Sequence, residues 1–405
     1  MMRFTKSKVV LPVFLIGCLW LFLAAGDWFL RFEHFHWQDR LMTRPKESAS
    51  VTRGPYPPLF RQEIPPIRGG DLTRLAAVDD VVARYGETKP ETLIQADEAG
   101  YRNDPPTVGK RYPVMVVGDS FMNVKFGKHG SFPELLAVDL GVPVYNHAYP
   151  GSGAFWGLHR YLLEGRFIDR PPKVIVWGLL EREIAGGLFS GYVYHLRVLN
   201  KGGAVQEDLS RGEKIAWDQL KPAKLKTTLP NTSYFSAAVN RAWNIIRYRV
   251  FGSITKDVVV SKPDRYGNSF LFYHYNLESM AWSREQRNLS QAAYAVAFIR
   301  DALRTRGSEL VVVLIPDKEQ VYRELIPDNF SESPPCTLIE FEEELRRRNL
   351  PVINLFTLFR EQAATGPALY WRDDTHWKPE AMAMAARLTA ERIRGMQFLD
   401  PEVEK

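Results

Sequence analysis

Three short stretches of this 405-residue chain hold residue types that could carry out acyl chemistry together. Gly118-Asp119-Ser120-Phe121 follows the apolar run Pro113–Val117. A serine just past the carboxyl end of a buried strand is where an open α/β sheet can present a nucleophile. Asp373-Asp374-Thr375-His376-Trp377 stands directly before a helical pattern. A histidine there, with a carboxylate two or three residues back, can take the serine's proton while the acid fixes the tautomer and stabilises the imidazolium. The third stretch is Asn146-His147-Ala148-Tyr149-Pro150-Gly151-Ser152-Gly153, whose glycines let backbone N–H groups approach an oxyanion. Each also has a plain structural reading. Gly-Asp-Ser serves as a strand-to-loop turn, Asp and Thr are ordinary helix starters, and His147 and Tyr149 suit a wall. Taken together, their order favours a Ser-His-Asp acyl-transfer site.

Such a site needs strands whose ends converge. Runs of four to seven apolar, β-branched residues occur at Pro113–Val117, Val142–Asn146, Lys173–Trp177, Glu309–Ile315 and Pro351–Leu355. Their continuous apolar character predicts strands of a parallel sheet buried on both faces. Helical spacing lies between them: Phe132, Leu135, Leu136 and Leu140; Ala292, Val296, Ile299 and Leu303; Leu338, Phe341 and Leu345; Ala381, Ala385 and Leu388. The alternation predicts a three-layer α/β/α fold with right-handed crossovers. It divides into a first part at 95–190, an insertion of about a hundred residues at 191–290, and a second part at 291–405. Residues 27–94 are proline-rich and read as a linker, with one helix around Leu72–Tyr85.

Composition removes other classes. With 45% hydrophobic and 25% charged residues the chain is globular, not disordered, collagen-like or coiled-coil. Its 53 Lys+Arg against 47 Asp+Glu are interleaved, which argues against nucleic acid as a partner. Cys18 and Cys336 are too few for a disulfide framework or zinc cluster, the histidines lack ligand spacing, and no glycine-rich nucleotide loop occurs; no cofactor is implied.

Residues 1–8 are basic, and 9–26 are apolar, closed by Asp27. Eighteen residues at about 1.5 Å each span about 27 Å, enough for a bilayer core. The following Trp28-Phe29-Leu30-Arg31-Phe32 suits an interfacial belt. A transmembrane signal anchor with a cytoplasmic N-terminus leads over a cleaved signal peptide and over a lipid-modified Cys18. All three place the remainder at a membrane surface.

On Gly118-Asp119-Ser120, Asn146 to Gly153 and Asp373 to His376, the chain resembles the SGNH (GDSL-like) hydrolase superfamily. On Pro316-Asp317-Lys318 with Val321-Tyr322, Leu369-Tyr370, Asp374-Thr375-His376-Trp377, and Lys173 to Trp177 followed by Glu181-Arg182, it resembles the alginate O-acetyltransferase group, the AlgX/AlgJ-like enzymes. Gly100-Tyr101-Arg102 fits the lead-in of secreted relatives. In the alginate enzymes the Asp/His block precedes the serine; here it follows, as in a permuted or sister member. The superfamily's third block supplies an asparagine to the oxyanion hole, and Gly178 to Arg182 has none. Arg182 is either a substitute donor or half of an Arg–Glu pair.

With the anchor expected at 9–26, the resemblance implies an O-acetyltransferase at the outer face of a bacterial inner membrane, acting on an extracellular or cell-envelope polysaccharide. Ser120 would carry the acetyl group, His376 would be the base, and Asp374 the orienting acid, with Asp373 second. The Ser120 amide and an amide near Gly151 would hold the oxyanion. Because acetyl-CoA is not found on that face and no nucleotide-binding loop occurs, the placement implies a multi-span membrane acyltransferase as donor partner. Acceptor contacts are expected from Tyr149, Trp377, Arg182 and the insertion, through Tyr248, Tyr273, Tyr275, Arg247 and Arg249. The alternatives are a carbohydrate esterase using the same triad and a non-catalytic polysaccharide-binding or assembly protein.

Overall fold

The computed structural model describes residues 15, 17–19, 21–22, 54–76, 78–127, 130–150, 153–163, 165–185, 234–252, 254–280, 289–330 and 336–396. They fall into two compact units: 1–47 with 207–253, and 48–206 with 254–405. In the first unit the described part is short helical stretches within 15–22 and the helix Tyr234–Phe251, which holds Arg247, Tyr248 and Arg249. The expected anchor at 9–26 lies mostly outside the described residues, and among those described no helix is long and apolar enough to cross a membrane.

The second unit opens with β1 (Arg61–Ile64), β2 (Ile67–Arg68), β3 (Thr88–Lys89) and β4 (Thr92–Gln95). β1 pairs antiparallel with β4, and β2 with β3. The segment read as a linker therefore has fixed structure from residue 54 onward. Its single expected helix is two, Asp71–Ala76 and Asp79–Tyr85, with Val78 extended between them. Strands of two to four residues are too short to show a period, and their pairing across some 30 positions is invisible locally.

The central sheet consists of β5 (Val114–Val117), β6 (Val144–Asn146), β7 (Val174–Leu180), β10 (Glu309–Ile315) and β11 (Val352–Asn354), all parallel, in the order β11-β10-β7-β5-β6. Successive side chains on a strand point to opposite faces. Met115, Ile175, Trp177, Val312 and Leu314 enter a core closed by helices Ala154–Leu163, Leu289–Arg304 and Thr337–Arg346. Val114, Val176, Val311, Val313 and Ile315 enter the other, closed by Phe132–Leu140 and Pro379–Gly395. Burial on both faces explains the unbroken apolar runs, each such side chain contributing about 1.5–3 kcal/mol. The three-layer α/β arrangement is as the pattern predicts.

Local chemistry sets the helix ends. The Ser131 N–H donates to Glu134 Oε2 at 2.6 Å at the start of Phe132–Leu140, and Gly141 ends that helix in the left-handed region at φ 73°. Within the stretch expected as an insertion, β8 (Val258–Val260) and β9 (Leu271–Tyr273) form an antiparallel hairpin, followed by helix His274–Met280. Phe270, Leu271 and Phe272 are buried, so half of the aromatic run is core.

The chain passes from β5 to β6 on one side, then returns past β5 to β7 on the other. That reversal makes the carboxyl ends of β5 and β7 the switch point, where open α/β sheets leave a crevice.

Candidate active site

Ser120 begins the short helix Ser120–Asn123 straight after β5. Gly118 makes the turn at φ 151°, with a Cβ position 2.8 Å from Met122 Cγ, so a side chain is disfavoured twice over. Asp119 caps the helix, accepting from the Phe121 N–H at 2.9 Å.

Ser120 Oγ lies 2.9 Å from His376 Nε2, and His376 Nδ1 lies 2.6 Å from Asp374 Oδ1. Asp374 Oδ1 also accepts the His376 backbone N–H at 3.0 Å. The Nδ1–carboxylate contact keeps a proton on Nδ1 and leaves Nε2 as the acceptor facing the serine. Burial opposes charge on His376, but Asp374, with Asp71 and Asp119, outweighs it and raises the imidazole's affinity for a proton. Burial also opposes charge on Asp374, and His376 holds that carboxyl well below the usual range.

Asp373 faces away from the histidine. It pairs with Lys89 Nζ and accepts the Glu87 N–H at 3.1 Å. The two neighbouring acids therefore separate: one turned to the imidazole, the other inward to a buried lysine.

The loop Trp371–Trp377 is closed by Trp371 N–H to His376 O at 3.2 Å and Lys378 N–H to Leu369 O at 2.7 Å. Beneath it, buried Lys318 donates to the carbonyls of Trp371, Arg372 and Asp374 at 3.3, 3.4 and 2.9 Å. Its depressed proton affinity follows from burial, partly countered by Glu319, Asp71 and Asp374. Glu87 binds the loop from outside, accepting from Arg372 N–H at 2.5 Å and Lys378 Nζ at 3.0 Å. Gly70 fits against it so closely that a Cβ would come 2.5 Å from Asp373 O.

Trp377 and Tyr149 do not serve as sugar platforms. Trp377 is fully buried, and its Nε1–H is spent on Phe121 O at 3.2 Å, tying the histidine loop to the nucleophile helix. Tyr149 is buried beneath Arg160, whose Cζ lies 4.4 Å from the ring centroid, and its N–H donates to Gly118 O at 2.9 Å. Helical and strand-end spacing marks such aromatics without telling core from rim. Gly151 lies outside the described residues.

Arg182 follows β7 in helix Glu181–Ala185 and pairs with Asp317 Oδ1 at 2.6 Å, so its carboxylate partner is an aspartate and not a glutamate. Its guanidinium sits 5.4 Å from the Phe121 ring centroid. Burial lifts Asp317 to about 6 despite Arg182. Burial, with Asp119 nearby, pushes Glu183 to about 8, and Glu183 accepts the Ala154 N–H at 3.0 Å. Tyr273 and Tyr275 stand with their rings 6.1 Å apart, and both phenols feel the Arg182 charge.

Asp71, Lys89 and Glu87 are the site residues that sequence reasoning missed. Gly69-Gly70-Asp71 at a helix start was the one available signal. Asp71, Asp374 and His376 place one ligand-type atom each within 4.8 Å. The carboxylate oxygens there already accept N–H or O–H groups from Asp71, Thr375 and His376, an arrangement suited to protons.

A family model described as SGNH hydrolase-like domain, acetyltransferase AlgX, matches residues 50–181 and 268–404. The chain is 26% identical over 165 residues to the probable alginate O-acetylase AlgJ of Pseudomonas putida, covering 40% of each protein. It is 25% identical over 162 residues to that of Azotobacter vinelandii, covering 39% of each. The matched region thus spans about two fifths of these curated relatives. A lipase/acylhydrolase from Enterococcus faecalis aligns over 71% of this chain and 97% of its own, with TM-score 0.34 and 12% identity, too distant to bear on the site.

Proposed function

The chain belongs to the SGNH hydrolase-like, AlgX acetyltransferase family, and from that premise we propose that it moves acetyl groups onto hydroxyls of a cell-envelope polysaccharide through an acetyl-serine on Ser120. The unbroken Ser120–His376–Asp374 relay, at 2.9 and 2.6 Å, carries this reading. Ser120 Oγ attacks the acetyl carbonyl as His376 Nε2 takes its proton; that proton then goes to the donor's leaving oxygen. In the second half His376 deprotonates a sugar hydroxyl, which attacks the acetyl-serine, and the imidazolium returns that proton to the departing Ser120 Oγ, restoring free serine and neutral histidine. The imidazolium formed in each half is stabilised by Asp374. The Ser120 amide and an amide near Gly151 hold the oxyanion.

The relatives' description as alginate O-acetylases supports a polysaccharide acceptor. Incubating the purified protein with an acetyl ester should yield a Ser120-containing peptide one acetyl group heavier, and added oligosaccharide should become acetylated. Acetate release that is the same with and without oligosaccharide would instead identify an esterase.

The apolar stretch 9–26 supports an anchor in the bacterial inner membrane with the catalytic domain outside the cytoplasm. A multi-span acyltransferase is the proposed donor there. A reporter fused after Lys405 should be active in the periplasm; a cytoplasmic signal would overturn both location and partner.

A further inference from the structure

Asp71 enters the site from the far end of the sequence and touches each residue of Asp374-Thr375-His376. Its N–H donates to Asp374 Oδ2 at 3.1 Å. Its Oδ1 accepts the Thr375 N–H at 2.8 Å, and its Oδ2 accepts the Thr375 hydroxyl. That same Oδ2 lies 3.7 Å from His376 Nδ1. Gly70 alone permits the approach, because any side chain there would strike the Asp373 carbonyl and the Asp374 side chain.

We infer that Asp71 is a positioning residue of the reaction, holding Thr375 and Asp374 in place and setting a second carboxylate against the proton-bearing side of His376. The inference rests on the triad reading above. When Ser120 gives up its proton, the imidazolium is flanked by two carboxylates instead of one. At this separation in a largely buried site, a second negative charge favours the cation by an amount visible in a titration.

The groups facing this pair come from several elements. Asp374 lies on the same loop as His376, and Asp119 lies at the end of β5 with Arg182 beside it. Lys318 lies below, and the Tyr273 phenol, at the end of β9, feels the Asp71 charge. Burial and Asp374 raise the Asp71 carboxyl above its usual range, and His376 with Thr375 opposes them, so a charged imidazole is what favours the Asp71 carboxylate. Asp71 and the imidazolium thus stabilise one another.

Asp71→Asn tests the charge, since an amide can still accept from the Thr375 N–H and donate to its hydroxyl. For acetyl-ester turnover, kcat should fall about 10–100-fold with KM within about twofold. The acid limb of kcat/KM should move down by about one pH unit, because His376 loses its proton more readily without the second carboxylate. Thr375→Val, which removes the hydroxyl but keeps the charge, should leave that limb in place. A lower kcat with an unmoved limb in Asp71→Asn would reduce Asp71 to a structural residue and overturn the proposal, as would wild-type kinetics. If Asp71→Asn does not fold, a downward-shifted limb in Thr375→Val overturns it equally, whereas an unshifted limb supports it. Ser120→Ala in parallel separates the two claims: activity surviving there defeats the triad itself, independently of Asp71.

Discussion

Ser120→Ala is expected to lose acetyl-ester turnover by about 10⁴–10⁶-fold, the range seen when the nucleophile of a serine triad is deleted. Ser120 Oγ is the group facing His376 Nε2, and the ring's other nitrogen is committed to Asp374. Removing the hydroxyl leaves a base with nothing to deprotonate and no atom to carry the acetyl group. The fold should be untouched. Ser120 is only half-buried, the Asp119 cap engages the Phe121 N–H, and the helix is pinned by Phe121 and Met122 in the core. Kinetics, intact mass after donor exposure and a melting curve on one preparation check this. Turnover near the wild-type rate, or an acetylated protein in which Ser120 is absent, would move the nucleophile elsewhere.

The second large effect distinguishes two adjacent aspartates by different readouts. Asp374→Asn should lower kcat by about 10²–10⁴-fold, because an amide facing His376 Nδ1 favours the wrong tautomer and cannot stabilise the imidazolium. Its melting temperature should change little by comparison. Asp373→Asn should do the reverse. Its carboxylate is fully buried against a nearly buried Lys89, and removing one partner of such a pair costs about 3–5 kcal/mol. Activity per folded molecule should then stay within about tenfold of wild type. A greater loss of kcat per folded molecule at Asp373 would reverse the two roles.

Much of this could be read beforehand where pattern is strong. The five central strands repeat an apolar run with two buried faces, and Glu309–Ile315 coincides in sequence and structure. Ser120 and His376 stood out because a nucleophile and its base sit at element ends with small or capping neighbours. Three things were not legible. The choice between Asp373 and Asp374 depends on which way each carboxylate turns, and Lys89, 284 positions earlier, decides it for Asp373. Trp377 and Tyr149 look like rim aromatics, but their inward direction is set by tertiary packing and by the acceptors Phe121 O and Gly118 O. Asp71 sits in a segment without periodicity, and its importance comes from a contact no local window contains.

That contact has a temporal side. Asp71 and Asp374 are 303 residues apart, and closing a loop of that length in an unstructured chain costs about 5 kcal/mol in entropy beyond a constant. The site therefore cannot preassemble while the chain is open; the central sheet must first bring its carboxyl end beside Gly70-Asp71. A newly made chain can hold Ser120 at the end of a formed strand and still lack an oriented base. Partly folded molecules thus lack the oriented base that acyl chemistry at Ser120 would need. Separation along the chain makes catalytic competence a report that folding is complete.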